Sequence, residues 1–146
     1  MKIKVVSYAV SERDFRHIRD TVPGHEQQIP RELDWDGNDR DCLHVVATDK
    51  EGTTIGTGRI QADGKIGRLA VLKHWRSRGV GARMLEALVE SARSRGLEKV
   101  YLHAQAHAVP YYEKSGFEKE GDEFIEVGIR HVNMMRRTQA TPEREA

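Results

Sequence analysis

Arg76, Arg78, Gly79, Gly81 and Arg83 stand together at the head of an apolar, helix-forming run, "RSRGVGARMLEAL" from Arg76 to Leu88. A helix start presents unpaired N–H groups and the positive end of the helix dipole. Glycines clear side chains from the approach to those donors, and arginines add cationic charge. The combination suits an anion such as phosphate or diphosphate. Two phosphate motifs fail on spacing. Met84 stands where G-x-G-x-x-G needs its third glycine, and G-x-x-x-x-G-K-[ST] is absent. No acidic residue follows at a strand end suited to a ribose hydroxyl, which disfavours a dinucleotide. The plainer alternative is a solvated basic helix start whose glycines serve packing.

Other chemistry-bearing residues give weaker patterns. His103 and His107 are four apart, as in H-E-x-x-H, but the glutamate is missing and they straddle a strand-to-helix junction. That argues against zinc. "DWDGND" gathers acids as a calcium loop does. Its glycine is misplaced, and position 12 of a loop starting at Asp34 is Val45. Glu32, Asp34, Asp36, Asp39 and Asp41 read as a solvated loop, with attraction for a cationic amine as a second reading. The single cysteine, Cys42, permits no intramolecular disulfide and no thiolate cage, and reads as a small buried hydrophobe. No metal is expected.

The elements that must position these groups follow from periodicity. Lys2 to Val10 predicts a strand, and "SERDFRHIRDTVPG" a helix whose Phe15, Ile18 and Val22 share a face. A polar loop follows to Asp41. "CLHVVAT" and "TTIGTGRIQA" predict a hairpin around Asp49 to Gly52, and a further strand spans Lys65 to Leu72 after an Asp63–Gly64 turn. Val80 to Arg95 predicts a helix with Leu85, Leu88, Val89 and Ala92 inward and Gly96 as terminator. "KVYLHA" predicts a strand, "AVPYYEKSG" a short helix with Pro110 in its first turn, and "FEKEG" and "RHVNMMR" two last strands. The order β-α-β-β-β-α-β-α-β-β is mixed α/β (α+β). Short turns make the early strands antiparallel. The strands flanking the Val80–Arg95 helix should be parallel, joined by a right-handed crossover.

The 146 residues suit one domain, expected over 1–137, with the apolar-poor tail 138–146 disordered. A formal net charge of +1 offers no basic field for nucleic acid, and no aromatic stacking row is evident. No apolar run is long enough to cross a membrane, and the N-terminus is too polar for a signal peptide, so the cytoplasm is the expected compartment.

A second stretch, "QAHAVPYYEKSGF", carries a resemblance. Arg76, Gly79 and Gly81 are spaced as in the acyl-CoA diphosphate motif of the GNAT N-acetyltransferase superfamily. Gln105, Ala108, Tyr111, Tyr112, Glu113, Lys114, Gly116 and Phe117 resemble its downstream signature. Gln105 replaces the commoner asparagine and keeps an amide. The resemblance covers roughly residues 40 to 136. "HEQQIPRELDWDGNDRDCLHVVA" and "GDEFIEVGIRHVNMM" further resemble a subgroup of small bacterial members.

The resemblance implies a mostly antiparallel sheet of about seven strands, a splayed central parallel pair and helices on both faces. It implies acetyl-CoA as cosubstrate, with the pantetheine arm on main-chain groups near Leu69, Ala70 and Val71. The diphosphate would rest on Arg76, Ser77, Arg78, Gly79, Val80, Gly81 and Ala82, extending toward Arg83. Gln105 and Tyr111 would contact the cosubstrate. Tyr112 would be the general acid toward the departing thiolate, since a phenol of reference pKa about 10 is protonated at neutral pH. A main-chain N–H near Ala70 or Val71 would stabilise the oxyanion. For the base the candidates are His103, His131, Glu26 and Glu126. His103 is taken as base or polar site residue, with the face it occupies left open. The expected partner is a small-molecule or peptide amine, with a homodimer implied by family and no nucleic acid or membrane. The competing reading is a non-catalytic acyl-CoA sensor or interaction module on the same fold.

Overall fold

The computed structural model describes residues 1–7 and 42–139. The helix expected from Ser11, the acidic loop and Glu26 lie outside the described residues. Among those described, seven strands and two α-helices follow one another as β1 (Lys2–Ser7), β2 (Leu43–Thr48), β3 (Thr54–Ile60), β4 (Ile66–Val71), α1 (Val80–Ser94), β5 (Lys99–Gln105), α2 (Val109–Lys114), β6 (Glu118–Glu126) and β7 (Ile129–Arg137). The chain divides into two compact units, one of Met1–Ala62 with Ile66–Leu88, the other of Asp63–Lys65 with Val89–Ala146.

In the first unit the strands pair antiparallel in the order β1-β2-β3-β4. Asp49 organises the β2–β3 turn. Its carboxylate accepts the N–H groups of Glu51 and Thr53, both at 2.9 Å. Gly52 takes the left-handed conformation that the turn requires. β3 is buried along its whole length, Thr57 and Arg59 included. Its pairing with β4 is interrupted. Thr57 pairs with Ala70 and Arg59 with Gly67, so Gly58 alone faces both Arg68 and Leu69. This is a β-bulge, and Arg68 at φ 53° supplies its left-handed residue. Gly58 makes it possible: a Cβ there would stand 2.6 Å from Leu69 Cδ2 and 3.2 Å from Val45 Cγ1.

The second unit is a three-stranded antiparallel sheet ordered β5-β7-β6. The sequence places one strand at "FEKEG"; the structure extends it to Glu126. Gly121, at φ 85°, does not end the strand but forms part of an irregularity between Glu120 and Phe124. The reversal comes at Val127 and Gly128, at φ 53° and 70°, between the paired Glu126 and Ile129. Two positive φ values in a two-residue loop make a type I′ turn. Seven strands are thus present as expected, but hydrogen bonding groups them into two sheets. A parallel pairing is present as a single bridge from Lys65 to Tyr101, within the second unit. Tyr101 also donates to Asp63 Oδ2 at 2.6 Å. Thr138, assigned by the sequence to a loose tail, is instead buried. Its N–H reaches the Glu98 carbonyl at 3.0 Å and its hydroxyl the Leu97 carbonyl at 2.6 Å.

In α1 the residues Val80, Met84, Leu85, Leu88, Val89 and Ala92 are buried, the stripe expected of a 3.6-residue period. Gly96, at φ 83°, closes the helix. Its N–H bonds to the Arg93 carbonyl and that of Leu97 to Ala92, a Schellman motif. None of the helices among the described residues is long and apolar enough to cross a membrane.

The close approach at Gly58 is directly testable. Gly58→Ala should lower stability by about 1–3 kcal/mol through overpacking against Leu69 and Val45. Gly67→Ala, with nothing within 4 Å of the new methyl, should not destabilise. Urea unfolding of the two variants checks this; equal stability would show that Leu69 moves aside freely.

Candidate active site

The turn entering α1 mixes backbone hands. Arg76 is extended at φ −70°, ψ 153°, while Ser77 and Gly79 are left-handed at φ 64° and 83°. Such changes of hand can turn neighbouring N–H groups toward one side and form a concavity suited to an anion. The Gly79 carbonyl accepts the N–H of Arg83 at 3.1 Å, the first bond of the helix. The N–H groups of Val80, Gly81 and Ala82 therefore have no acceptor within the helix. A Cβ at Gly79 would meet nothing within 4 Å. Conformation, not crowding, calls for glycine here. Residues 76 to 79 are exposed and Val80 is buried.

The arginines of this turn have separate contacts. Arg76 donates from Nε to the Val71 carbonyl at 3.0 Å, which holds its side chain against the end of β4. Arg78 lies over the Trp75 ring with its guanidinium carbon 5.3 Å from the centroid, a cation–π contact. Leu69, Ala70 and Val71 lie at and just after the β4 bulge. Ala70 and Val71 face Thr57 and Gly56 in register.

In the second unit, β5 alternates cleanly. Val100, Leu102 and Ala104 are buried, while Tyr101, His103 and Gln105 share the other face. This settles which way His103 points relative to Ala104: it stands with Gln105. His103 Nδ1 lies 2.9 Å from Glu126 Oε2. Its ring meets Phe124 edge-on at 5.0 Å, and Phe124 stacks on His131 at 6.0 Å. His131 Nδ1 is 2.8 Å from the Ile129 carbonyl, so Nδ1 carries the proton.

Tyr112 is set by the end of α2. The Gly116 N–H bonds to the Glu113 carbonyl and the Phe117 N–H to Tyr112's own, both at 3.1 Å, with Gly116 at φ 89°. This is a second Schellman motif, and the usual apolar contact across it is aromatic. Tyr112 meets the buried Phe117 ring at 6.0 Å, edge to face. Tyr111 packs against Tyr112 at 5.2 Å and is itself exposed. Burial first, and then the neighbouring Tyr111, push the Tyr112 phenol up to about 12. Its proton is retained throughout the physiological range.

A family model for the acetyltransferase (GNAT) domain matches residues 25–138. The chain belongs to the GNAT acetyltransferase family. It is 34% identical over 140 residues to a Bacillus subtilis protein named uncharacterized N-acetyltransferase YjcF, covering 93% of this chain and 99% of that one. An acyl-CoA N-acyltransferase structure from Pseudomonas aeruginosa superposes with a TM-score of 0.78 at 27% identity, over 93% of this chain and 99% of that one. Aminoglycoside 6'-N-acetyltransferase complexed with coenzyme A shares the fold, with a TM-score of 0.74 at 15% identity over 97% and 99% of the two chains.

As a GNAT acetyltransferase, the chain distributes its expected site residues over both units. The β4 residues and the Arg76–Ala82 turn lie in the first; His103, Gln105, Tyr111 and Tyr112 lie in the second. The sequence reading named His103, Glu126 and His131 as alternative bases. The structure joins the first two by a hydrogen bond and brings Phe124 against both histidines. Register is the missing signal: Gln105 faces His131 and Phe124 faces His131 across the sheet, a fact carried by hairpin geometry and not by spacing along one strand. The described residues contain no group of three or more His, Cys, Asp or Glu able to hold a metal.

Left-handed glycines at Gly79 and Gly116 lead to a shared expectation. Alanine at either position should cost about 1–2 kcal/mol, the penalty of a Cβ in that conformation. Gly116→Ala should in addition weaken the near-ultraviolet circular dichroism of the Tyr111–Tyr112–Phe117 cluster, and Gly79→Ala should leave that signal intact. Identical spectra for both variants would separate the Gly116 turn from the placement of Tyr112.

Proposed function

We propose that the protein transfers the acetyl group of acetyl-CoA to a primary amine by direct attack of the amine on the thioester. The observation that carries this reading is Tyr112: a phenol fixed by a Schellman turn, held protonated by burial, at the position where the family signature places its acid. The family membership and the relative named as an N-acetyltransferase support it. The fold-sharing aminoglycoside acetyltransferase was crystallised with coenzyme A.

The residues present fit the cosubstrate. The turn from Arg76 to Ala82 offers main-chain donors without acceptors inside the helix, two nearby guanidinium groups and open space over Gly79. It would bind the diphosphate. Main-chain groups of Leu69, Ala70 and Val71 would pair with the amides of the pantetheine arm, as an added strand would. Gln105 would hydrogen-bond the arm through its side-chain amide, and Tyr111 would flank it. The N–H of Ala70 or Val71 would face the developing oxyanion.

Proton affinities define what Tyr112 does. A thiol of reference pKa about 8.5 is a stronger acid than a phenol at about 12. Complete proton transfer from Tyr112 to a free thiolate is therefore uphill. Tyr112 would act mainly by donating a hydrogen bond to the sulfur as charge develops on it, with the full proton passing only where the thiolate's basicity is raised.

Acetyl-CoA at about 100 times its Kd should stabilise the fold by about 2.7 kcal/mol, read as a rise in Tm, and ATP at the same concentration should not. Absence of a shift with acetyl-CoA and with CoA would overturn the assignment. Tyr112→Phe should keep acetyl-CoA affinity and lower kcat by about 10²- to 10⁴-fold, measured as CoA released with a panel of amines. A non-catalytic CoA sensor would bind acetyl-CoA and release none with any amine. The pKa shifts add a sign. Because Tyr101 and Tyr112 are both raised to about 12, their phenolates should appear only above pH 11 in an ultraviolet titration. Tyr112→Phe should remove one of those two late steps.

A further inference from the structure

The geometry points to His103 as the general base that takes the proton from the acceptor amine, with Glu126 as the residue that holds it in the reactive tautomer. This rests on the acetyltransferase reading and deepens it. A carboxylate only accepts hydrogen bonds. In the neutral imidazole the 2.9 Å contact between His103 Nδ1 and Glu126 Oε2 therefore puts the ring proton on Nδ1 and the lone pair on Nε2. No other described residue engages Nε2. Phe124 meets the ring edge-on at 5.0 Å and limits its rotation. A base oriented by a carboxylate on its far nitrogen is the arrangement by which imidazoles are made effective proton acceptors.

Placement separates His103 from the other candidates. His131 also carries its proton on Nδ1, but it is buried and stacked under Phe124. Glu126 is engaged with His103 itself. The His103 side chain is 29% exposed, open enough to reach a substrate and enclosed enough to be held. It shares its face of β5 with Gln105, the residue assigned to the cosubstrate arm, two positions on. The groups facing the dyad from adjacent strands are His131, Asn133 and Glu120, the last two joined by a 2.9 Å hydrogen bond, with Tyr101 at 6.3 Å on β5 itself.

In the step, the amine nitrogen bonds to the thioester carbonyl carbon and the carbon–sulfur bond breaks. The nitrogen gives one proton to His103 Nε2. The sulfur leaves with its electron pair as a thiolate that accepts a hydrogen bond from Tyr112. The proton taken up by His103 then passes through solvent to the thiolate, so amine and thioester become amide and thiol and the base is restored. Glu126 keeps its hydrogen bond to Nδ1 and so stabilises the imidazolium that forms.

The test has one arm that needs no turnover and one that does. In the neutral ring of the intact protein, ¹⁵N spectra should show a protonated Nδ1 and a bare Nε2 for His103. The reverse tautomer would overturn the proposal. With spermidine, kanamycin and a lysine peptide as acceptors, His103→Ala should lower kcat about 10²- to 10⁴-fold, leave acetyl-CoA affinity intact and regain rate with added imidazole. Glu126→Gln should lower kcat less and shift the tautomer toward Nε2–H, and Glu126→Asp should recover part of the rate. Glu123→Gln, on the opposite face of β6 and paired with Arg130, should leave kcat in place. Wild-type turnover undiminished in His103→Ala would defeat the dyad alone. A wild type that neither binds acetyl-CoA nor releases CoA would defeat the acetyltransferase reading, and the spectra would still decide the pairing.

Discussion

A left-handed backbone at a few chosen residues is the constraint on which the candidate site depends. Arg68 at φ 53° forms the β4 bulge, Ser77 at 64° and Gly79 at 83° shape the turn into α1, Gly116 at 89° closes α2, and Val127 at 53° with Gly128 reverses β6 into β7. Each lies near a residue with a proposed role: Leu69 to Val71, Val80 to Ala82, Tyr112, and Glu126. Three of these positions are not glycine and bear a cost of about 1–2 kcal/mol apiece. For valine, whose branch crowds the backbone, the conformation is least expected. The surrounding ladders and turns over-determine these residues, which is how such strain persists near functional groups.

The acid and the base proposed for the reaction differ in environment as much as in chemistry. Burial raises the Tyr112 phenol and keeps it a donor. His103 stands partly exposed, with Nδ1 engaged by a carboxylate. Two groups with opposite proposed tasks are thus kept distinct by solvent access and partner choice.

Much of this was legible in the residues themselves. The period of α1 was read from Leu85, Leu88, Val89 and Ala92, and all four are buried. Gly96 and Gly116 were read as helix stops, and both end Schellman motifs. What escaped was governed by partners distant in sequence. Gly121 looks like the end of a strand, yet β7 continues to pair beyond it and carries β6 to Glu126. Thr138 looks like tail until Leu97 and Glu98 supply its acceptors. The bulge at Arg68 has no composition signal, because arginine has no preference for that conformation. Its trace lies in β3, where Gly58 is the residue that leaves room for Leu69. The joining of His103 to Glu126 depends on cross-strand register, which periodicity along either strand does not specify.

The strand order β5-β7-β6 places the last of the described strands in the middle of its sheet. As the polypeptide leaves the ribosome, β5 and β6 emerge without the neighbour they both require. Until Arg137 and Thr138 follow, neither edge of the future sheet has its hydrogen-bonding partner. His103 and Glu126 come together only when the middle strand is inserted. Assembly of this sheet therefore waits for the latest-made of its three strands. A chain cut before Ile129 would keep β5 and β6 and lack the strand that brings His103 and Glu126 together.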